Sequence, residues 1–364
     1  MACLRSVRWT VPLSALGAAL ALAAIPFPAR WVERLFSNGL YPWLPRLCAP
    51  LTSALPFPLL DLWLLLLLFG CPLWWAVRFR RFGPGRRWQA AGQAALDTLL
   101  VAATLACAFE LLWGLNYQRR PLTAKLDWDQ QRVNFQSATN LSWSAIEHLN
   151  TEAAVARTGP WPPEEEWRAA LHESFIKVVT GLGQQTSLPA VKPKTSLLDT
   201  YMAVTRVDGF VNPFGYEVIL NSQTLPFERP YLLAHEWAHL AGFADESEAS
   251  FVGVLACLRS DLPGIRYSGW LSLHFNLPGP NPRSTNSWPR LAPQVLNDIR
   301  AIQGRYTQHR GQVSQAMAKA QSKVYDRFLK VNRVRAGIGS YDLLARLILG
   351  TRFEGDWTPA LRPD

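Results

Sequence analysis

His235, Glu236 and His239 stand in the order HExxH inside "LLAHEWAHLAGFADESEASF", Leu232 to Phe251. On a helix, residues four apart lie one above the other, so this spacing stacks both imidazoles toward one point. Zinc takes histidine nitrogen readily, and a catalytic zinc site uses three protein ligands with water in the fourth position. Glu236, next to the first ligand, can reach that water and accept its proton as it attacks a carbonyl. An HExxH arises by chance in about one in a hundred chains of this length, judged from average composition. Two histidines one turn apart on the wall of a helical core are the plain alternative. The setting favours chemistry: Leu233, Ala234, Trp237, Ala238, Leu240 and Ala241 are all uncharged, as a buried active-site helix requires.

A third ligand is needed, and three acids come next: Asp245, Glu246 and Glu248. Gly242 suits a helix C-cap, after which the chain can turn and bring a new helix back to the metal. Read literally, His235 to Asp245 fits HExxHxxGxxD, with an acid where metzincin proteases carry a third histidine. That class also needs a methionine turn, and the only downstream methionine, Met317, lies in a polar helical stretch. A second reading starts a helix at Asp245, with Asp245 as N-cap and Glu248 at N3. Glu246 then lies in the first turn with Ser250 one turn on. An acid ligand followed four residues later by a polar group that orients a ligating histidine is the gluzincin arrangement. This favours Glu246, with Glu248 and Asp245 as the alternatives.

The elements that must hold these residues can be read from patterning. The HExxH helix begins after Pro226 and Pro230. Ahead of it, "TYMAVTRVDGFVNPFGYEVILN" (Thr200 to Asn221) reads as a hairpin or small sheet, with "YEVILN" as the last strand and a candidate edge for an extended peptide. "SAIEHLNTEAAVA", with Ser144 and Glu147 in capping-box spacing, and "EEEWRAALHESFIKVVTGL", ending at Gly181, read as helices. Their histidines, His148 and His172, are expected to be structural. "NLPGPNPRSTNSWP" (Asn276 to Pro289) is a loop, followed by helices at about 291–333 and 340–350. Tyr267 in "RYSGW" can donate a hydrogen bond to an oxyanion, or simply be a core aromatic; His274 is a weaker candidate for the same job.

The first third of the 364 residues is apolar and the rest reads as water-facing. Three stretches, at about 11–27, 55–77 and 94–113, approach the ~20 apolar residues that cross a bilayer core. Tryptophans such as Trp31, Trp75 and Trp113 sit near their ends, where amphipathic rings favour the interface. The first stretch also fits a signal peptide, since Arg5 and Arg8 precede a short apolar core. Arg78, Arg80, Arg81, Arg86 and Arg87 crowd the loop between the second and third stretches, which places that loop and the N-terminus in the cytoplasm and the chain beyond Trp113 outside. Arg30, Arg34 and Arg46 in the first loop work against this orientation without reversing it. Asp61 and Glu110, near the outer ends, mark either a polar path or simple solvation at the interface. Much of the formal charge of +10 belongs to these flanks. No basic stripe with interleaved aromatics points to nucleic acid. The five cysteines are scattered, without the spacing of a thiolate metal site or a disulfide framework.

"LLWGLNYQRRPL", "NPFGYE", "HEWAHLAGFADESEASF", "RYSGWLSL", "VYDRFLKVN" and "GIGSYDLL", in that order, carry a likeness over nearly the whole chain. They resemble the uncharacterised bacterial membrane-protein family 3810 of the domains of unknown function, which has an HExxH behind three N-terminal spans. The resemblance implies a zinc-peptidase-like fold. The family's site continues with two glutamates and "EAN", matching Glu246, Glu248 and Ala249, while the position of Asp245 is not an acid there. Ser250 departs from the pattern, which has Asn, and this puts the orientation of the ligating histidine in doubt.

The expectation is therefore a mainly α protein. Residues 1–115 would form a membrane domain of three transmembrane helices, and residues 116–364 an extracytoplasmic α+β zincin-like metalloprotease domain with a small β-sheet. Zn2+ would be held by His235, His239 and Glu246, with Glu236 as general base and Tyr267 as oxyanion donor. The partners would be the lipid bilayer and a peptide or protein substrate in the bacterial envelope. The rival readings are a non-catalytic envelope scaffold that keeps the fold, and a zinc amidase acting on cell-wall peptides.

Overall fold

A computed structural model describes residues 10–363 apart from 12, 20, 23–24, 83, 186, 279–287, 310 and 332–342. A π-helical stretch, Val32–Leu40, leads into α1 (Trp43–Ser53). Two helices then form a hairpin, α2 (Leu59–Arg81) and α3 (Arg87–Leu112), joined by a short turn carrying Pro84 and Gly85. Both are long and apolar enough to cross a membrane, and only 6% and 17% of their most apolar windows are buried, so neither is a core helix.

Two such helices are found among the described residues where the sequence led us to expect three. The stretch at 11–27 falls partly outside the described residues, ends at Pro26, and is short of the ~20 residues a bilayer core takes. The chain beyond that stretch is packed into the body of the protein. Val32, Phe36, Tyr41 and Ala49 belong to the same buried core as Trp237 and Phe251. Tyr41 donates from its hydroxyl to the Leu240 carbonyl at 2.9 Å, and Thr52 donates to the Gly215 carbonyl at 2.8 Å. The hydrophobic core therefore begins well ahead of residue 115. Asp61 is neither a polar path nor solvated: it is buried and accepts hydrogen bonds from Ser196 and from the Leu197 amide at 3.0 Å. Glu110 is buried as well.

The rest is mostly helical: α4 (Phe135–Ala156), α5 (Glu164–Gly181), α6 (Asp199–Thr205), a hairpin of β1 (Gly209–Asn212) and β2 (Glu217–Leu220), α7 (Arg229–Leu240), α8 (Glu246–Leu258), α9 (Pro263–Phe275), α10 (Pro293–Thr307), α11 (Gln312–Val331) and α12 (Leu343–Gly350). α4 starts earlier than its sequence suggested. The capping box is Asn134 with Ser137, and Ser144 lies in the helix interior. His148 stacks on Trp270, and His172 bonds the Leu188 carbonyl, both structural roles as expected. The loop expected at Asn276 to Pro289 lies largely outside the described residues.

Two features of this fold position the site. β1 and β2 pair antiparallel with Gly209 opposite Leu220 and Asn212 opposite Glu217. Lys194 pairs with Ile219 on the far side of β2, and all four β2 residues are buried. Of the pair, "YEVILN" is thus the inner strand, and β1 is the outer one, correcting the sequence reading. The second feature is α8. It is buried along its whole length, apolar all round except in its first turn, and packs against α5, α7, α9 and α12. Burying Phe251, Val252, Val254 and Leu255 fully contributes about 1.5–3 kcal/mol each. An acid at its N-terminus is therefore held rigidly.

Candidate metal site

α7 and α8 are joined by a turn that the sequence dictates. Gly242 has φ +90°, a conformation open to glycine, and the amides of Gly242 and Phe243 bond back to the carbonyls of His239 and Ala238 at 3.0 Å each. Asp245 caps α8, accepting from the amides of Ser247 at 2.9 Å and Glu248 at 3.3 Å. The two helices then lie side by side because position 253 has no side chain. A β-carbon at Gly253 would stand 3.1 Å from the His235 nitrogen and 3.2 Å from its Cα. Gly253→Ala should push α8 off α7 by a few tenths of an ångström. The expected loss is on the order of 1–3 kcal/mol, read as a lower melting temperature. An unchanged melting temperature would mean the helices can slide apart freely.

This packing brings three ligand atoms together. His235 Nε2 and His239 Nε2 are 3.2 Å apart, and Glu246 Oε2 lies 3.3 Å from the first and 3.5 Å from the second. Each ring is turned by a bond at its other nitrogen. His239 Nδ1 meets the Phe243 carbonyl at 2.8 Å, and His235 Nδ1 meets the Ser250 hydroxyl at 3.2 Å. A carbonyl only accepts, so His239 carries its proton on Nδ1 and presents a lone pair at Nε2 whenever it is neutral. Glu246 Oε2 is buried and faces the two imidazole nitrogens, while Oε1 accepts from the Tyr325 hydroxyl on α11. Two imidazole nitrogens and one carboxylate oxygen converging on a point, each braced from behind, fit a zinc ion.

The electrostatics agree. Burial works to lower the His239 pKa, but the Glu246 carboxylate beside it, and then Glu236, carry it up to about 9. Burial works to raise the Glu246 pKa, yet His239 and His235 hold it well below the usual carboxylate range. Positive charge is thus favoured at this point, and a divalent cation bound here would take the place of that proton.

Glu236, on the same turn as the ligands, is buried, and among the described residues its Oε2 has no hydrogen-bond partner. Burial raises its pKa, and the two imidazoles pull it partly back. β1 crosses directly over it. A β-carbon on Gly209 would come within 2.7 Å of Glu236 Oε1, so only glycine lets the outer strand pass so close.

The remaining candidates separate clearly. Asp245 caps a helix. Glu248 points away from the ligand cluster, accepting from the Leu122 amide at 2.6 Å; burial raises its pKa to about 7 although Arg119 lies near it. Ser250 fills the orienting role expected of it. Tyr267 does not reach the site: it is buried on α9, donates to Asp298 on α10, and stands under the Arg157 guanidinium. Its hydroxyl is engaged there, so it is not the oxyanion donor. His274 lies outside the cleft lining, and burial lowers its pKa. The structure adds three residues that sequence reasoning missed: Tyr325 on Glu246, Tyr231 with its ring 6.0 Å from that of His235, and Trp113, whose indole N–H donates to the His239 carbonyl at 3.0 Å. Tyr325 belongs to "VYDRFLKVN", but no local spacing ties that segment to the motif.

A cleft of ≈1130 Å³ runs past the ligands. Phe210 and Val211 of β1 form one side, Tyr325 and Phe328 of α11 another, and Phe109 and Trp113 line the end toward α3. Such an arrangement can hold a divalent cation beside an unpaired carboxylate at the base of a mainly apolar groove.

A family model described as "Protein of unknown function (DUF3810)" matches residues 36–349. Comparison with curated proteins and with solved structures returned no match.

Proposed function

We propose that this chain, which belongs to the DUF3810 family of proteins of unknown function, is a membrane-anchored zinc-dependent hydrolase acting as a peptidase. The supporting observation is the convergence of His235 Nε2, His239 Nε2 and Glu246 Oε2 next to the unpartnered Glu236 carboxylate. His235, His239 and Glu246 would hold the metal, a gluzincin-like set. A zinc ion there supplies Lewis acidity, polarising a carbonyl and bringing the pKa of a water from ~16 toward ~7. Glu236 accepts the proton of the attacking water and returns it to the leaving amine. Phe243 and Ser250 keep the two imidazoles aimed, and Tyr325 does the same for Glu246. β1, the outer strand beside Glu236, offers backbone groups with which an extended peptide can pair.

In this reading α2 and α3 cross the cytoplasmic membrane as a hairpin. Its arginine-rich turn is the cytoplasmic end, and the domain carrying the site is extracytoplasmic. In support, the start of α2 (Leu59 to Glu217, 2.8 Å) and the residue after α3 (Trp113 to His239) attach to one body, as both outer ends of a hairpin must.

The test is metal content. The full-length chain, purified in nanodiscs, should carry about one zinc ion per chain by plasma mass spectrometry. A chain that binds no zinc or other divalent ion under any loading condition would end the hydrolase reading.

A further inference from the structure

Phe109, in the last turn of α3, and Trp113, directly after it, line the same cleft as His235, Glu236 and Glu246. Trp113 is one hydrogen bond from the backbone of a ligand, and its ring centre is 6.1 Å from that of His239. Tyr216 adds a second tie, donating to the Leu112 carbonyl at 2.9 Å. At 1.5 Å per residue, the 26 residues of α3 extend ~39 Å, against a hydrocarbon core of ~30 Å. When α3 crosses the bilayer, its last turn emerges at the headgroup level, and the ligands lie immediately beside it. The cleft therefore opens onto the membrane surface.

Its lining matches that position. Phe109, Phe210, Val211, Leu271, Phe275 and Phe328 are all wall residues. The outer wall, α11, packs Phe328 edge-on against Phe109 at 5.8 Å, with Val324 and Met317 exposed on the same helix. Lys319, Lys323 and Arg327 give this helix basic charge. An amphipathic helix of that composition, next to the exit of a span, suits the plane of anionic headgroups. Most of the groove's exposed surface is apolar, although polar side chains such as Arg206, Asp208 and Gln303 also line it.

We propose that the substrate is an apolar segment of a polypeptide held in the same membrane, which reaches the cleft from the bilayer surface beside the end of α3. This rests on the membrane-anchored peptidase reading given above.

Four fluorogenic peptides test it, with an apolar or a polar central octapeptide, each with or without an N-terminal palmitoyl chain. They are presented to the full-length chain in phosphatidylethanolamine–phosphatidylglycerol nanodiscs. The anchored apolar peptide should show a KM about 100-fold below that of its free counterpart, the gain expected from confinement near the site. The anchored polar peptide should show no such gain. Equal KM for the two anchored peptides, or for the free and anchored apolar ones, overturns the proposal while leaving the peptidase reading intact. Zinc-loaded Glu236→Gln chain separates the two ideas by fluorescence anisotropy. Selective binding of the anchored apolar probe by this variant, with no cleavage by wild type, upholds the substrate class and overturns the peptidase. Binding of none of the four overturns the substrate class. Phe210→Asp should weaken binding of the anchored apolar probe at least tenfold with zinc content unchanged.

Discussion

Glu236→Gln lowers turnover about 10³-fold while the zinc stays bound, if Glu236 is the group that moves the proton. The substitution keeps shape and removes basicity. Glu236 touches neither Nε2 lone pair, so the ligand cluster should survive, and metal content measured beside peptide cleavage separates lost chemistry from lost metal. Among the described residues the buried Oε2 has no hydrogen-bond partner, so a glutamine amide placed there would leave its own N–H groups unpaired. That costs about 1–3 kcal/mol and should appear as a modest drop in melting temperature. Unchanged cleavage in this variant would remove Glu236 from the reaction and favour the scaffold reading.

Glu246→Ala should weaken zinc binding by more than about 100-fold, since even loss of a group supporting a ligand costs 10–100-fold. It would also strip two imidazoles and the Tyr325 hydroxyl of their common acceptor. The neighbouring acids provide the contrast. Asp245→Ala removes a helix cap worth about 1 kcal/mol and should keep the metal. Glu248→Gln alters a side chain bonded to the Leu122 amide and should keep it too. Zinc bound to the folded state alone stabilises it by about 2.7 kcal/mol at one hundred times Kd. Chelation should therefore lower the melting temperature of wild type, of Asp245→Ala and of Glu248→Gln, and leave that of Glu246→Ala where it was. Equal zinc retention in Glu246→Ala and wild type would show that another acid holds the metal.

The parts of the site that were legible in the sequence are those set by short-range geometry. The i, i+4 relation of His235 and His239 needs only a helix, and Gly242 with Asp245 marks where one helix ends and the next starts. Those positions favoured Glu246 over the literal motif partner Asp245 and left Glu248 and Asp245 as alternatives, and the structure brings Glu246 to the imidazoles. Contacts closed over long separations were not legible. Tyr325 lies 79 residues beyond Glu246, in a helix whose pattern says only that one face is apolar. Tyr267 was misassigned because a tyrosine in an apolar run reads the same whether its hydroxyl meets a substrate or, as here, Asp298 on the next helix. The choice between β1 and β2 as the outer strand depended on Lys194, whose parallel pairing with Ile219 has no signature in a short run. The apolar stretches were plain, but hydropathy does not say that Phe36 and Tyr41, between the first and second of them, join the core.

Tyr41 and Trp113 both end on carbonyls in the last turn of the ligand-bearing helix, at Leu240 and His239. The last carbonyls of a helix have no partners within it, so something outside must supply donors. Here residues on either side of the hairpin supply them. The hairpin is thus not a generic leash that another anchor can replace. A chain cut after Trp113 would surrender Tyr41, Thr52 and the indole together, leaving the metal-bearing helix frayed at the end where His239 sits. Grafting the remainder onto a foreign transmembrane segment would restore attachment to a bilayer without restoring the site. The apolar hairpin and the His-His-Glu cluster thus stand or fall as one packed piece.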